Sequence, residues 1–241
     1  MDQLLLKNAS GHVIAPSVHV DWINADKMDP VDEEVRIKLS TKNKAAAWFV
    51  SNCRTLSRRE ELVTDLRNYF NVYNMDIDIY GDCGKFQCPK DMMNQCLGYL
   101  EKNYYFYFAF ENAISEDYVT EKIIHALNHY TVPVVFGGAN YSRFMPPGAY
   151  LDARALGSRN LAKVMYETIQ DPAKYLKFFR WRKHYSFHMR HETPDTDDYC
   201  RFCAMINDKN LMNKTTIYYN FTAWWTTNLT CSNLISQISD I

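Results

Sequence analysis

With 241 residues, 47% of them apolar and 15% aromatic, the chain can bury a sizeable core, which excludes a disordered protein. Its 27 Lys and Arg nearly balance 28 Asp and Glu, for a net charge of -1, so there is no broad positive field for gathering a nucleic acid. No apolar run approaches the roughly 20 residues that span a bilayer, and the N-terminus lacks the basic-then-apolar order of a signal peptide, so the chain as written reads as soluble.

Residues 1 to 43 show weak periodicity, with Pro16 and Pro30 as breakers and a charged segment from Asp32 to Lys38, and read as a lead-in or linker. From Lys44 onward, short apolar runs alternate with amphipathic stretches. Ala45 to Val50 predicts a buried strand, followed by a helix carrying Leu62, Leu66, Tyr69 and Phe70, with Ser57 as its N-cap. Asp76 to Tyr80 predicts the next strand, and Tyr104 to Phe110 a continuous aromatic one. A helix from Thr120 to Tyr130 buries Ile123, Ile124 and Leu127, and Val132 to Phe136 closes a second β-α-β unit at Gly137-Gly138. A short strand at Ala149 to Leu151 precedes a helix with Leu161, Val164, Met165 and Ile169 on one face and Ser158 as cap. A further helix runs from Pro172 to about Tyr185 around Tyr175, Leu176 and Phe179, and the tail after Asn207 is polar. Strands alternating with helices predict an α/β fold, a Rossmann-like, doubly wound and mostly parallel sheet whose ligands sit beyond the C-terminal strand ends.

Seven cysteines and five N-x-Ser/Thr sequons, at Asn8, Asn140, Asn213, Asn220 and Asn228, together point to a secretory lumen. Cys200-x-x-Cys203 has no second half at zinc-ribbon spacing, and it lies too late in the chain for a thioredoxin-like redox pair, so a structural disulfide is the expected role. Whether it closes on itself, on Cys53 or on the cluster of Cys83, Cys88 and Cys96 does not follow from spacing.

The chemistry concentrates in FENAISEDYVTEK, Phe110 to Lys122, which leaves a strand and enters a helix where backbone N–H groups and the helix dipole favour an anion. Lys122 in the first turn is a cation at the wrong helix end unless an anion meets it, and phosphate is the natural candidate. Glu121 can accept hydrogen bonds from sugar or ribose hydroxyls, while Asn112 and Tyr118 offer neutral donors. The competing reading has Glu121 favoured by the dipole, Lys122 solvated and Tyr118 packing. Asp76-x-Asp78 and Asp195-x-Asp197-Asp198 read as strand and loop carboxylates, not metal ligands. His125 and His129 read as packing and surface residues, and His184, His188 and His191 as a solvated loop cluster.

Taken together, FENAISEDYVTEKIIHAL, VPVVFGGANYSRFMPPGAYL and KYLKFFRWR followed by CRFC resemble the donor-binding half of the α-1,3-fucosyltransferases, glycosyltransferase family 10, from about Ala47 to Asn207. SNC at Ser51 to Cys53, DIYGDCGKFQCP and CRFCAMIN resemble invertebrate members, and GGANYSRFMPPGAYLDAR is most like the arthropod C type. The resemblance implies the C-terminal half of a GT-B enzyme. That means a GDP-fucose-binding domain over 44–207, preceded by the 1–43 lead-in and followed by a 208–241 tail. Carried over by position, it makes Arg59, Asn112, Tyr118, Glu121 and Lys122 donor contacts, with Lys122 and Arg59 on the diphosphate. It implies inverting α-1,3 transfer of fucose to N-acetylglucosamine of an N-glycan or related acceptor. No cofactor is required, with Mn²⁺ at most stimulatory. The resemblance also places the enzyme in the Golgi lumen, on a cisterna membrane through an anchor that this chain lacks. The general base belongs to an N-terminal domain absent here, so no catalytic residue is expected in the chain. The alternative is a GDP-fucose-binding module without turnover of its own.

Overall fold

A computed structural model describes residues 4–8, 13–14, 20–189, 198–213, 215, 217 and 219–220. Its centre is β5, Tyr104–Phe110, a run of aromatic and small residues that is almost wholly buried. A strand covered on both faces needs such an unbroken apolar run, which is the signature of a parallel sheet. β5 pairs in parallel with β3, Lys44–Phe49, and with β6, Val132–Phe136. The edges are β4, Ile77–Tyr80, and β7, Leu151–Asp152, giving the order β4-β3-β5-β6-β7 with every pair parallel.

Two helical layers cover this sheet. Phe106, Phe108 and Phe110 pack with Val63, Leu66 and Phe70 of α2, Arg59–Val72, and with Leu161 and Met165 of α5, Ala153–Gln170. Tyr107 and Ala109 face the other way, against Leu97 and Leu100 of α3, Met93–Asn103, and Ile123 and Leu127 of α4, Lys122–Asn128. The doubly wound parallel sheet expected from the sequence is therefore present, with β5 and β6 at the expected bounds. The chain leaves β3 toward one edge and β5 toward the other, so the strand order reverses between these two. In open α/β sheets that reversal opens a crevice at the C-terminal strand ends.

Several local expectations change. The charged segment from Asp32 to Lys38 falls in a helix, α1, Glu33–Ser40, whose Val35 and Leu39 join the core and whose N-cap Asp32 accepts a hydrogen bond from Val35 N at 3.3 Å. α2 is not capped by Ser57: its Oγ donates instead to the carbonyl of Glu111 at 2.7 Å, and Arg58 takes the cap position in the left-handed region. α5 is capped by Asp152, which accepts from Arg154 N and Ala155 N, and breaks at Gly157, whose φ of 68° only glycine adopts freely. The helix at Pro172 stops early. α6 covers Pro172–Lys177, a 3-10 turn covers Arg180–Lys183, and Tyr185–Met189 becomes a strand, β8. That strand pairs antiparallel with β1, Leu4–Asn8, which also pairs with β2, Val13–Ile14. His188 thus belongs to a strand, where its Nε2 is hydrogen-bonded to Ser186 Oγ at 2.8 Å, while His184 Nε2 accepts from Asp29 N and His191 lies outside the described residues.

The cysteines also correct the expectation. Two bridges are formed among the described residues, Cys53 to Cys83 and Cys88 to Cys96. Cys200 and Cys203 are exposed on α7, Asp198–Asn207, and are not joined to each other. Local spacing could not show this, because the turn after β4 folds back to bring Cys83 N to the carbonyl of Val50, next to the loop carrying Cys53. A short helix, α8, Lys209–Met212, follows α7. Of the sequons, Asn213 and Asn220 are exposed, Asn8 lies in β1, and Asn228 lies outside the described residues. Asn140 is also exposed, but its Oδ1 accepts from Ser142 N and Ser142 Oγ, and Tyr141 inside that sequon is buried. No helix among the described residues is long and apolar enough to cross a membrane.

Candidate functional site

The crevice between β3 and β5 is walled by the loops that leave them. Residues 50–58 are knitted to α2 through Glu60, whose carboxylate accepts from Thr55 N at 3.0 Å and Thr55 Oγ1 at 2.9 Å. Burial alone would push the Glu60 carboxyl up, yet these bonds and the Arg59 charge hold it below its ordinary value. Ser57 ties the same loop across to β5, through its hydroxyl on Glu111 O and its N–H on Asn112 O at 3.1 Å.

Arg59, in the first turn of α2, is buried, at 2% exposure. Nη1 donates to the carbonyl of Phe110 at 2.5 Å and Nη2 to that of Asn52 at 3.1 Å, so one guanidinium joins the end of β5 to the loop after β3. It lies 5.4 Å from the Trp48 ring centroid, and its Nε has no partner. Burial lowers its pKa and Glu111 acts against that shift, but a guanidinium stays charged at any working pH.

Glu111 follows directly on β5 and is wholly buried. It accepts from Thr120 N at 2.9 Å, from Thr120 Oγ1 at 3.0 Å, and from Lys122 Nζ at 3.0 Å. Burial raises its carboxyl above the ordinary range, and Lys122 and Thr120 offset part of the rise. Lys122 Nζ also donates to Thr120 Oγ1 at 2.7 Å and lies 3.5 Å from Glu121 Oε1. Its side chain is only 13% exposed, which rules out the solvated-surface reading. The anion that meets Lys122 within this chain is Glu111, a partner that the sequence reading did not assign. Its signal was there, a Glu at the end of an otherwise apolar strand.

Glu121 is the N-cap residue of α4 and half-buried; burial pushes its carboxyl up, but Lys122 and its own backbone bring it below the ordinary value. Asn112 and Tyr118 are partly exposed in the same loop, and Tyr118 is among the groups acting on the Arg59 charge. Four of the five predicted residues, Asn112, Tyr118, Glu121 and Lys122, thus lie on one loop and helix start, while Arg59 is buried with its guanidinium on the carbonyls of Phe110 and Asn52. The loop is fixed from the β6 side as well: a Cβ at Gly138 would come within 2.6 Å of Ser115 N and O, so only glycine allows this approach. Beside that contact lies a cleft of about 260 Å³ lined by Ile114, Ser115, Asp117, Gly138, Asn140 and Arg143.

The metal candidates separate. Asp78 accepts from Lys44 Nζ and from Tyr104 Oη, each at 2.6 Å, and Asp76 accepts from Ile77 N. Asp195 and Asp197 lie outside the described residues. Among the described residues no three His, Cys, Asp or Glu side chains converge as metal ligands.

Residues 39–224 match the model of glycosyltransferase family 10 (fucosyltransferase), C-terminal part. The chain belongs to that family. It is 41% identical to alpha-(1,3)-fucosyltransferase C of Drosophila melanogaster over 225 residues, 92% of this chain and 49% of that protein. It is 30% identical to glycoprotein 3-alpha-L-fucosyltransferase A of the same organism, over 88% of this chain and 41% of that one. The chain therefore spans about half the length of these curated relatives. The crystal structure of an alpha1,3-fucosyltransferase with GDP-fucose shares the fold, with a TM-score of 0.50 and 17% identity over 85% of this chain and 61% of that one. The matched region is thus an α/β, Rossmann-like unit of the GT-B fold, and FENAISEDYVTEK falls wholly inside it.

Proposed function

We propose that this chain binds GDP-fucose at the crevice between β3 and β5 and supplies the donor-binding half of an inverting α-1,3-fucosyltransferase. The observation that carries the reading is Lys122, a fixed and barely exposed ammonium at the C-terminal end of a parallel sheet, next to the point where strand order reverses. Relatives named as α-1,3-fucosyltransferases, and the solved structure that contains GDP-fucose, support the choice of donor.

In this reading residues 44–207 hold the donor. As the glycosidic bond breaks, the diphosphate takes up negative charge, and Lys122 meets it while the buried Arg59 cation adds its field from behind the loop. Glu121, Asn112 and Tyr118 supply hydrogen bonds to hydroxyls of the ribose or fucose. Fucose passes to N-acetylglucosamine of a glycoprotein glycan, and the carboxylate that takes the acceptor proton comes from the part of the relatives with which this chain does not align. Working in the Golgi lumen on a membrane-anchored full-length form fits the sequons and the two disulfides.

Saturation-transfer NMR with GDP-fucose tests the reading. Guanosine and fucose protons should both receive saturation from the protein, and excess GDP should abolish transfer to the fucose protons. Spectra with no transfer would contradict a donor site.

A further inference from the structure

We infer that Glu111 is the positioning residue of the donor site, setting which N–H of Lys122 faces the ligand. The inference rests on the donor-site reading and deepens it. Glu111 is wholly buried, so it cannot touch a ligand and can act only through the groups it binds. Those groups form a closed ring. Lys122 Nζ donates to Thr120 Oγ1 and to Glu111 Oε2, and Thr120 Oγ1 donates in turn to Glu111, whose Oε1 also takes Thr120 N.

An ammonium has three N–H donors. The ring takes two of them at 2.7 and 3.0 Å, while the remaining partner, Glu121 Oε1, stands at 3.5 Å, too far for a good hydrogen bond. One N–H is therefore held in direction but weakly engaged, and Glu121 is the group that an incoming phosphate oxygen displaces. The Glu111 charge also offsets the Lys122 charge while the site is empty, so a desolvated cation does not stand alone at the start of α4. This explains why a buried carboxylate at the end of a hydrophobic strand is useful: without it, Lys122 would have a full conical range of directions and would lose entropy on each binding event.

A double-mutant cycle on the chain with GDP tests this by calorimetry. Glu111→Gln should weaken GDP about tenfold in the wild-type background and leave it unchanged in the Lys122→Ala background. Equal weakening in both backgrounds, or none in either, overturns the inference. A ligand-free readout separates it from the donor reading: the Lys122 ammonium protons should exchange slowly with water in the wild type and rapidly in Glu111→Gln at equal folded content. Fast exchange in both overturns the positioning role. If the ammonium is held but wild-type chain binds no GDP, the positioning of Lys122 stands and the donor reading fails.

Discussion

The Nη1 group of Arg59 donates to the carbonyl of Phe110, the last residue of the central strand, and Nη2 of the same guanidinium donates to the carbonyl of Asn52. The two loops that form the crevice are therefore tied by one buried cation. Arg59→Met takes the guanidinium donor from both carbonyls and removes a buried cation, and should destabilise the chain by about 2–4 kcal/mol in urea titrations. Arg59→Lys keeps the charge but cannot reach both carbonyls with a fork, so it should recover less than half of that loss. Full recovery by lysine would show that charge, not the two-armed brace, is what matters.

Gly138 closes the other side. Gly138→Ala puts a Cβ about 2.6 Å from the backbone of Ser115, so the loop from Glu111 to Glu121 must shift. The cost should be about 1–3 kcal/mol of stability, with weakened GDP binding. Unchanged binding at reduced stability would mean that the loop absorbs the shift away from the site.

The two disulfides close loops of different size. Cys53 and Cys83 are 30 residues apart and Cys88 and Cys96 are 8 apart. The loop-closure model gives roughly 3.6 and roughly 2.5 kcal/mol for them. Replacing the first pair by serine should therefore destabilise more than replacing the second, by about 1 kcal/mol in denaturant titrations. The reverse order would show that contacts in the folded state outweigh the chain-entropy term.

Lys42 is buried, at 5% exposure, with Nζ donating to the carbonyl of Glu101, and burial lowers its pKa to about 7. The folded state thus gives up this proton near pH 7 while the unfolded chain keeps it to about 10.5. Between those values the unfolded state binds more protons, so stability should rise with pH, by up to about 1.4 kcal/mol per unit. Lys42→Met should flatten the rise, as followed by urea midpoints from pH 7 to 10. An unchanged slope would assign the pH dependence to other groups.

The central strands were legible because burial on both faces demands continuous apolar runs, as in Tyr104 to Phe110 and Val132 to Phe136. Ile123, Ile124 and Leu127 likewise marked the buried side of α4 correctly. Features that depend on distant partners were not legible. β8 forms because Tyr185 to Met189 meets Leu4 to Asn8, far away in the chain, and Cys53 pairs with Cys83 because a turn brings it back. Asn112, Tyr118, Glu121 and Lys122, the proposed donor contacts, come from one contiguous motif, so their closeness on one loop and helix start was legible. Two roles could not be read there. Glu111 serves Lys122 only once the loop folds back to bring Thr120 over it, and Arg59 reveals its bracing role only when β3 and β5 stand side by side.

The most direct test of the central claim is isothermal titration of the chain with GDP, beside Lys122→Ala. The donor-site account predicts saturable one-to-one binding by the wild type and at least a tenfold loss in the variant, with both proteins folded to the same extent. Wild-type heats no larger than dilution, or a Lys122→Ala protein that binds as tightly as the wild type, would contradict it.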